Sequence, residues 1–315
     1  MKNEYYFLIG FTIIIAIYWF ISYKLYRSIF FAYKNKPIDL VNHEDEFYQA
    51  AYQWFETIPK EDEYITAYDF IKLHGVFIPS HDKKSQKVAI VIHGYQSKAT
   101  DMIIIAKMYS DLGFKVLIID QRGHGLSEGN FTSVGYYEAY DLKKWLHFIT
   151  RNHGADSQIL LHGVSMGAST AAMAMKFREA KQVKALVLDS CFTNFRDSLA
   201  LSTRRPILRL FLPGITFNTK LFLNFFLKEV NPLKAIKKTD KPILLIHSEN
   251  DRVVTHAMTE TIYTSIKNKD KDLLIILGAK HAKGFEVDKE KYIDKVIDLT
   301  SKVFNIKKSD IKYIQ

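Results

Sequence analysis

Gly163-Val164-Ser165-Met166-Gly167 sets a serine between two glycines, with Gln158–His162 apolar ahead of it and an Ala- and Met-rich run from Ala168 behind. A buried strand, a sharp turn and a helix are the expected sequence of elements. A serine at such a turn presents its hydroxyl to an open site, and the flanking glycines let strand and helix approach closely. A serine hydroxyl is a weak nucleophile at neutral pH. It needs a base to take its proton and a carboxylate to orient that base.

The chain order expected for such a set is serine, acid, histidine. Pro242–His247 reads as a buried strand running into the polar loop Ser248–Val254, which puts Asp251 where the acid belongs. Glu249 is the competing acid. Asp272–Leu277 reads as the next strand and runs into Gly278-Ala279-Lys280-His281, which makes His281 the candidate base. Of the 11 histidines, His162 is expected to be buried and structural. Acyl transfer develops negative charge on oxygen, so preorganised backbone N–H groups are needed. Met166, after the serine, supplies one. The loop His93-Gly94-Tyr95-Gln96 after the strand Val88–Ile92 supplies the second at Tyr95, whose ring is also expected near the acyl pocket.

These segments, with Asp120-Gln121-Arg122-Gly123-His124-Gly125-Leu126-Ser127, resemble the alpha/beta-hydrolase superfamily from about Tyr64 onward. The Arg122–Ser127 stretch is similar to that of monoglyceride lipases, lysophospholipases and cinnamoyl-type esterases, and is expected to shape a loop. The nearer resemblance is to bacterial membrane-anchored serine hydrolases of cell-surface type. It implies an alpha/beta-hydrolase fold, a helical cap after the sixth strand, and hydrolysis of carboxylic esters, lipid or short-chain, with Ser165, Asp251 and His281 as the triad. A peptidase or thioesterase uses the same triad, and a non-catalytic membrane-bound binding protein is a further alternative. Lys280 stands where many relatives have glycine. Haloalkane dehalogenases and epoxide hydrolases carry Asp at the elbow, and this chain carries Ser.

The elements needed to position these residues are legible as periodicity. Strands are expected at 87–92, 114–119, 157–162 and 183–188, alternating with helices at 99–112, 136–151 and 166–178. Two antiparallel strands are expected within 64–79. Alternation of this kind reads as a mostly parallel, doubly wound sheet. A helix at 44–57 is expected to bury Phe47, Ala51, Trp54 and Phe55. The alternation lapses between Cys191 and Pro242, where the cap falls at 191–238.

The 315 residues are 48% apolar with a net charge of +10. Cys191 is the only cysteine, so no internal disulfide forms. No Cys/His cluster has metal-ligand spacing, and neither metal nor cofactor is expected. Tyr5–Tyr23 is 19 residues without a charge, with aromatics at both ends. It is long enough to span a bilayer and reads as a retained anchor, since no small-residue cleavage site follows. The expected division is an anchor at 1–23, a connector at 24–62 and a catalytic domain at 63–315. Lys24, Arg27, Lys34 and Lys36 follow the anchor and only Lys2 precedes it, which favours a cytoplasmic domain; the cell-surface resemblance points the other way. Within 191–238, nine basic residues face two acids, a net +7. Set among Leu and Phe, that charge suits anionic lipid headgroups better than nucleic acid.

Overall fold

The structure is a computed structural model that describes residues 2–31, 45–201 and 207–306. Eight strands form one sheet: β1 (Glu61–Thr66), β2 (Lys72–Ile78), β3 (Lys87–Ile92), β4 (Lys115–Ile119), β5 (Gln158–Val164), β6 (Val183–Asp189), β7 (Ile243–Ser248) and β8 (Lys271–Ile276). Their order is β1-β2-β4-β3-β5-β6-β7-β8. β1 and β2 pair antiparallel, as does β2 with β4; every pair from β4 to β8 is parallel.

Eleven α-helices are seen among the described residues: α1 (Lys2–Phe30), α2 (Glu46–Thr57), α3 (Ile103–Asp111), α4 (Tyr136–Asn152), α5 (Met166–Ala174), α6 (Phe195–Leu201), α7 (Leu208–Leu223), α8 (Pro232–Ile236), α9 (His256–Ser265), α10 (Gly284–Val287) and α11 (Lys289–Phe304). They cover both faces of the sheet. Along β3, Val88, Ile90 and Ile92 point into one core layer with α4 and α5, while Ala89 and Val91 point into the other with α2, α3 and α11. Both faces of a central parallel strand are thus apolar, which is why these strands read as continuous hydrophobic runs. α2 starts where Asp45 accepts the Phe47 and Tyr48 N–H groups, and buries Tyr48, Ala51 and Phe55. Phe47 and Trp54 are only half-buried.

The architecture is the expected alpha/beta-hydrolase fold. Between β6 and β7 lie α6, α7 and α8, in the interval read as the cap. Arg204 and Arg205 of that interval, and Lys34 and Lys36 after the first helix, fall outside the described residues. α1 is long and apolar enough to cross a membrane, with a mean hydropathy of 1.9 over its most apolar stretch. It does not stop at Tyr23. Lys24 and Arg27 are compatible with helix, so α1 runs on to Phe30. Tyr26 and Phe30, one turn apart, are buried in the same core layer as α5.

Candidate active site

The parallel strands end side by side, and the loops leaving β3, β5, β7 and β8 carry the candidate residues. At the end of β5, Ser165 has φ 54° and ψ −111°, a strained conformation for a residue with a side chain. The Ser165 N–H donates to Asp189 O on β6 at 2.8 Å and helps to hold the turn. The glycines are required by contact. A Cβ on Gly163 would lie 2.3 Å from the Gly167 carbonyl carbon, and one on Gly167 would lie 2.1 Å from Ile92 O.

Ser165 Oγ lies 2.8 Å from His281 Nε2, and His281 Nδ1 lies 2.6 Å from Asp251 Oδ2. A carboxylate only accepts, so Nδ1 carries the proton and Nε2 is left to accept from the serine. The other Asp251 oxygen accepts the Val253 and Val254 N–H groups at 2.8 and 2.9 Å. The acid is therefore locked on both sides, with its side chain fully buried. Glu249, the competing acid, does not reach the histidine in this way; its carboxylate accepts the Gly278 N–H at 2.8 Å. That bond, with Asn250 N–H to Ala279 O, stitches the acid loop to the histidine loop.

Met166 opens α5, where the first N–H groups of a helix have no intrahelical acceptor and the dipole is positive. The β3 loop lies against the serine: a Cβ on Gly94 would stand 3.6 Å from Ser165 Cβ. His93 fixes this loop, with Nδ1–H donating to Gly94 O at 2.6 Å and Nε2 accepting the Gln121 N–H at 3.0 Å. The Gln121 side chain donates back to His93 O and accepts from Thr170 Oγ1. His124 Nε2 accepts the Gln96 N–H, and Nδ1–H donates to Arg122 O. Burial lowers the pKa of both rings, that of His124 to about 4, so both stay neutral. The Tyr95 side chain reaches α1. Its hydroxyl is committed to Ile29 O in the last turn of α1, at 2.7 Å.

The Arg122–Ser127 stretch is scaffolding, as read. Arg122 forms a two-pronged pair with buried Asp141 and reaches Asp69. Asp120 accepts from Ala99 N–H, Leu126 N–H and His74 Nδ1–H. His162 is fully buried, as expected, and burial pushes its pKa down to about 3. It accepts from Tyr109 and donates to the Tyr292 hydroxyl, which donates to Asp189 Oδ2. Ser190 donates to the other Asp189 oxygen and accepts the Ala282 N–H, beside His281, at 3.3 Å. Sequence reasoning missed Asp189 and Ser190. Burial raises the Asp189 carboxyl to about 6, against the opposing pull of the Ser190 and Tyr292 hydrogen bonds. Among the described residues, no group of three or more His, Cys, Asp or Glu side chains is placed to hold a metal ion.

The family described as serine aminopeptidase, S33 (Hydrolase_4) matches residues 83–238. The uncharacterized protein YqkD of Bacillus subtilis is 30% identical over 270 residues, covering 84% of this chain and 87% of that protein. The chain belongs to the alpha/beta-hydrolase superfamily, as a hydrolase of the serine type. The esterase Pf2001 of Pyrococcus furiosus superposes with a TM-score of 0.65 at 25% identity, over 85% of this chain and 99% of that one. The lysophosphatidylserine lipase ABHD12 of Macaca fascicularis is 24% identical over 192 residues, 57% of this alpha/beta hydrolase and 45% of the lipase.

Proposed function

We propose that this alpha/beta hydrolase cleaves carboxylic esters, of lipid or short-chain acyl type, through a Ser165–His281–Asp251 triad. The observation that carries the reading is the pair of hydrogen bonds, 2.8 and 2.6 Å, that joins the three side chains at a strained elbow. Ser165 Oγ attacks the ester carbonyl while His281 Nε2 takes its proton. Asp251 stabilises the imidazolium. The N–H groups of Tyr95 and Met166 receive the negative oxygen of the tetrahedral intermediate. His281 returns the proton to the departing alkoxide, leaving an acyl-serine. Water, deprotonated by the same imidazole, then releases the acid.

The names of two relatives, an esterase and a lysophosphatidylserine lipase, favour esters. The aminopeptidase description favours a second reading, amide cleavage on the same triad. Replacing Ser165 by Ala is expected to abolish fluorophosphonate labelling and to lower ester turnover by about 10⁴-fold or more. Parallel assays on nitrophenyl esters and aminoacyl anilides decide between the readings. Turnover at the wild-type rate in S165A overturns both.

The enzyme is held at a membrane by α1, with Lys24 and Arg27 favouring a cytoplasmic domain. Carbonate washing is expected to leave it in the pellet. The basic side chains of the cap, Arg196, Arg209, Lys220, Lys228, Lys234, Lys237 and Lys238 among the described residues, suit contact with anionic headgroups.

A further inference from the structure

α7 is apolar on two faces. Leu208, Leu212, Ile215 and Leu223 are buried in the core, yet Ile207, just before its first turn, and Leu210, Phe217, Leu221 and Phe222 are each more than half exposed. An apolar helix face is at rest only when something apolar covers it. One side is covered by protein, and part of that protein is α1.

The contact with α1 is close and directional. Tyr18 stacks on Phe211 at 5.4 Å, Trp19 meets Phe217 edge-on at 4.9 Å, and Tyr23 meets Phe222 at 5.9 Å. Residue numbers rise together, so the two helices run in the same direction. They cross where a Cβ on Gly214 would lie 2.2 Å from Ser22 Oγ, a small-on-small approach of the kind that lets helices pack within lipid. One step before it, Pro213 interrupts α7. The Tyr18 hydroxyl enters the ladder there, accepting the Gly214 N–H at 3.2 Å and donating to Leu210 O at 3.3 Å. A side chain of α1 thus completes the backbone hydrogen bonding of α7.

This geometry fixes the relative depth of the two helices. The Phe211 ring meets Tyr18 and the Phe222 ring meets Tyr23, the last residue of the uncharged run, so about 16 Å of α7 lies across about 8 Å of α1 and the two axes are inclined. At about 1.5 Å per residue, Tyr18 lies about 8 Å inside the end of that run. We infer that α7 is seated in the bilayer beside α1, with Leu210, Phe217 and Leu221 against lipid. The inference rests on the reading of α1 as a membrane span. An interfacial helix buries its apolar face by about 5–10 Å, which matches. The charges fit too. Lys220 falls at the shallow end, near the level of Lys24. Arg209, at the deeper end, donates through Nε to the Ala200 carbonyl, and its long stem can carry the remaining charge toward polar surroundings. The cap of the hydrolase is thereby part of the membrane-facing surface, which suits a lipid ester as substrate.

The test uses the full chain in phosphatidylcholine–phosphatidylglycerol vesicles, with Cys191 retained because it is buried. Leu210→Cys, Phe217→Cys and Leu221→Cys are labelled one at a time with a polarity-sensitive fluorophore. Phe11→Cys reports on the span and Lys269→Cys on water. The expected result is blue-shifted emission at 210, 217 and 221, with at least fivefold weaker quenching by iodide than at 269 and strong quenching by nitroxide-bearing lipids. Labels on α7 that respond like 269 while 11 stays protected overturn the inference and leave the span intact. Protection at α7 without quenching by lipid nitroxide puts a second copy of the chain there and also overturns it. Exposure at 11 removes the span and the inference together. Fluorophosphonate labelling of the same samples reports on Ser165 separately.

Discussion

At the scale of single residues, the candidate site is decided by what each polar atom is already bonded to. Asp251 and Glu249 are two residues apart, yet only Asp251 has an oxygen on His281; the Glu249 carboxylate closes a loop at Gly278. Asp251→Asn is therefore expected to lower kcat by about 10⁴-fold, because the amide favours the wrong imidazole tautomer. Glu249→Gln is expected to stay within about threefold, since Gln retains an acceptor for one backbone N–H. Steady-state kinetics on both variants check the pair, and the reverse pattern would transfer the acid to Glu249. Ser165, Asp251 and His281 were legible from sequence because each follows a recognisable strand. Asp189 and Ser190 were not. Their value lies in contacts with Tyr292, Ala282 and the Ser165 backbone, which come from distant parts of the chain and leave no local pattern.

Among elements, the strands and helices that carry the site were legible because a parallel strand buried on both faces is written as an unbroken apolar run. β3, β4, β5 and β6 lie within a residue or two of their expected bounds. The elbow between β5 and α5 is set by steric contact. Gly167→Ala would drive a methyl into Ile92 O, and is expected to destabilise the fold by about 3 kcal/mol or more. A urea midpoint equal to wild type would show that the elbow can shift to admit it. The end of α1 lies beyond the run without charge, which stops at Tyr23, while the helix continues to Phe30. Charge marks what meets water, but Lys24 and Arg27 occupy one side of a helix whose other side, Tyr26 and Phe30, enters the core. The catalytic domain thus includes the last turns of the helix expected to be only its anchor.

Across the whole molecule, buried histidines set the response to acid. His162 and His124 are held neutral by burial, with pKa values of about 3 and about 4, whereas in the unfolded chain each titrates near 6.5. The unfolded chain then binds protons that the folded one refuses, so this stability is complete above pH 6.5 and falls as pH drops below it. His74 acts in the opposite sense. Burial disfavours its charge, but hydrogen bonds to Asp120 and Asp62 prevail and raise its pKa, a contribution complete below pH 6.5 and lost as pH rises. Burial lowers His93, His153 and His247 in the same sense as His162 and His124, whereas Asp141 and Asp189, raised to about 6 by burial, act with His74. The five histidines predict a net loss in acid that these groups partly offset. Urea midpoints in detergent are expected to be lower at pH 5 than at pH 7.5, and a higher midpoint at pH 5 would reverse the assignment. The partnership of Tyr18 with Leu210 bears on assembly as well as on form. The two residues are 192 positions apart. At about 5–20 residues per second, a ribosome needs about 10–40 s to travel from one to the other. During that interval the first helix has been made and its companion has not, so the aromatic side chains that will close on the cap must wait in whatever apolar surroundings the nascent chain can reach.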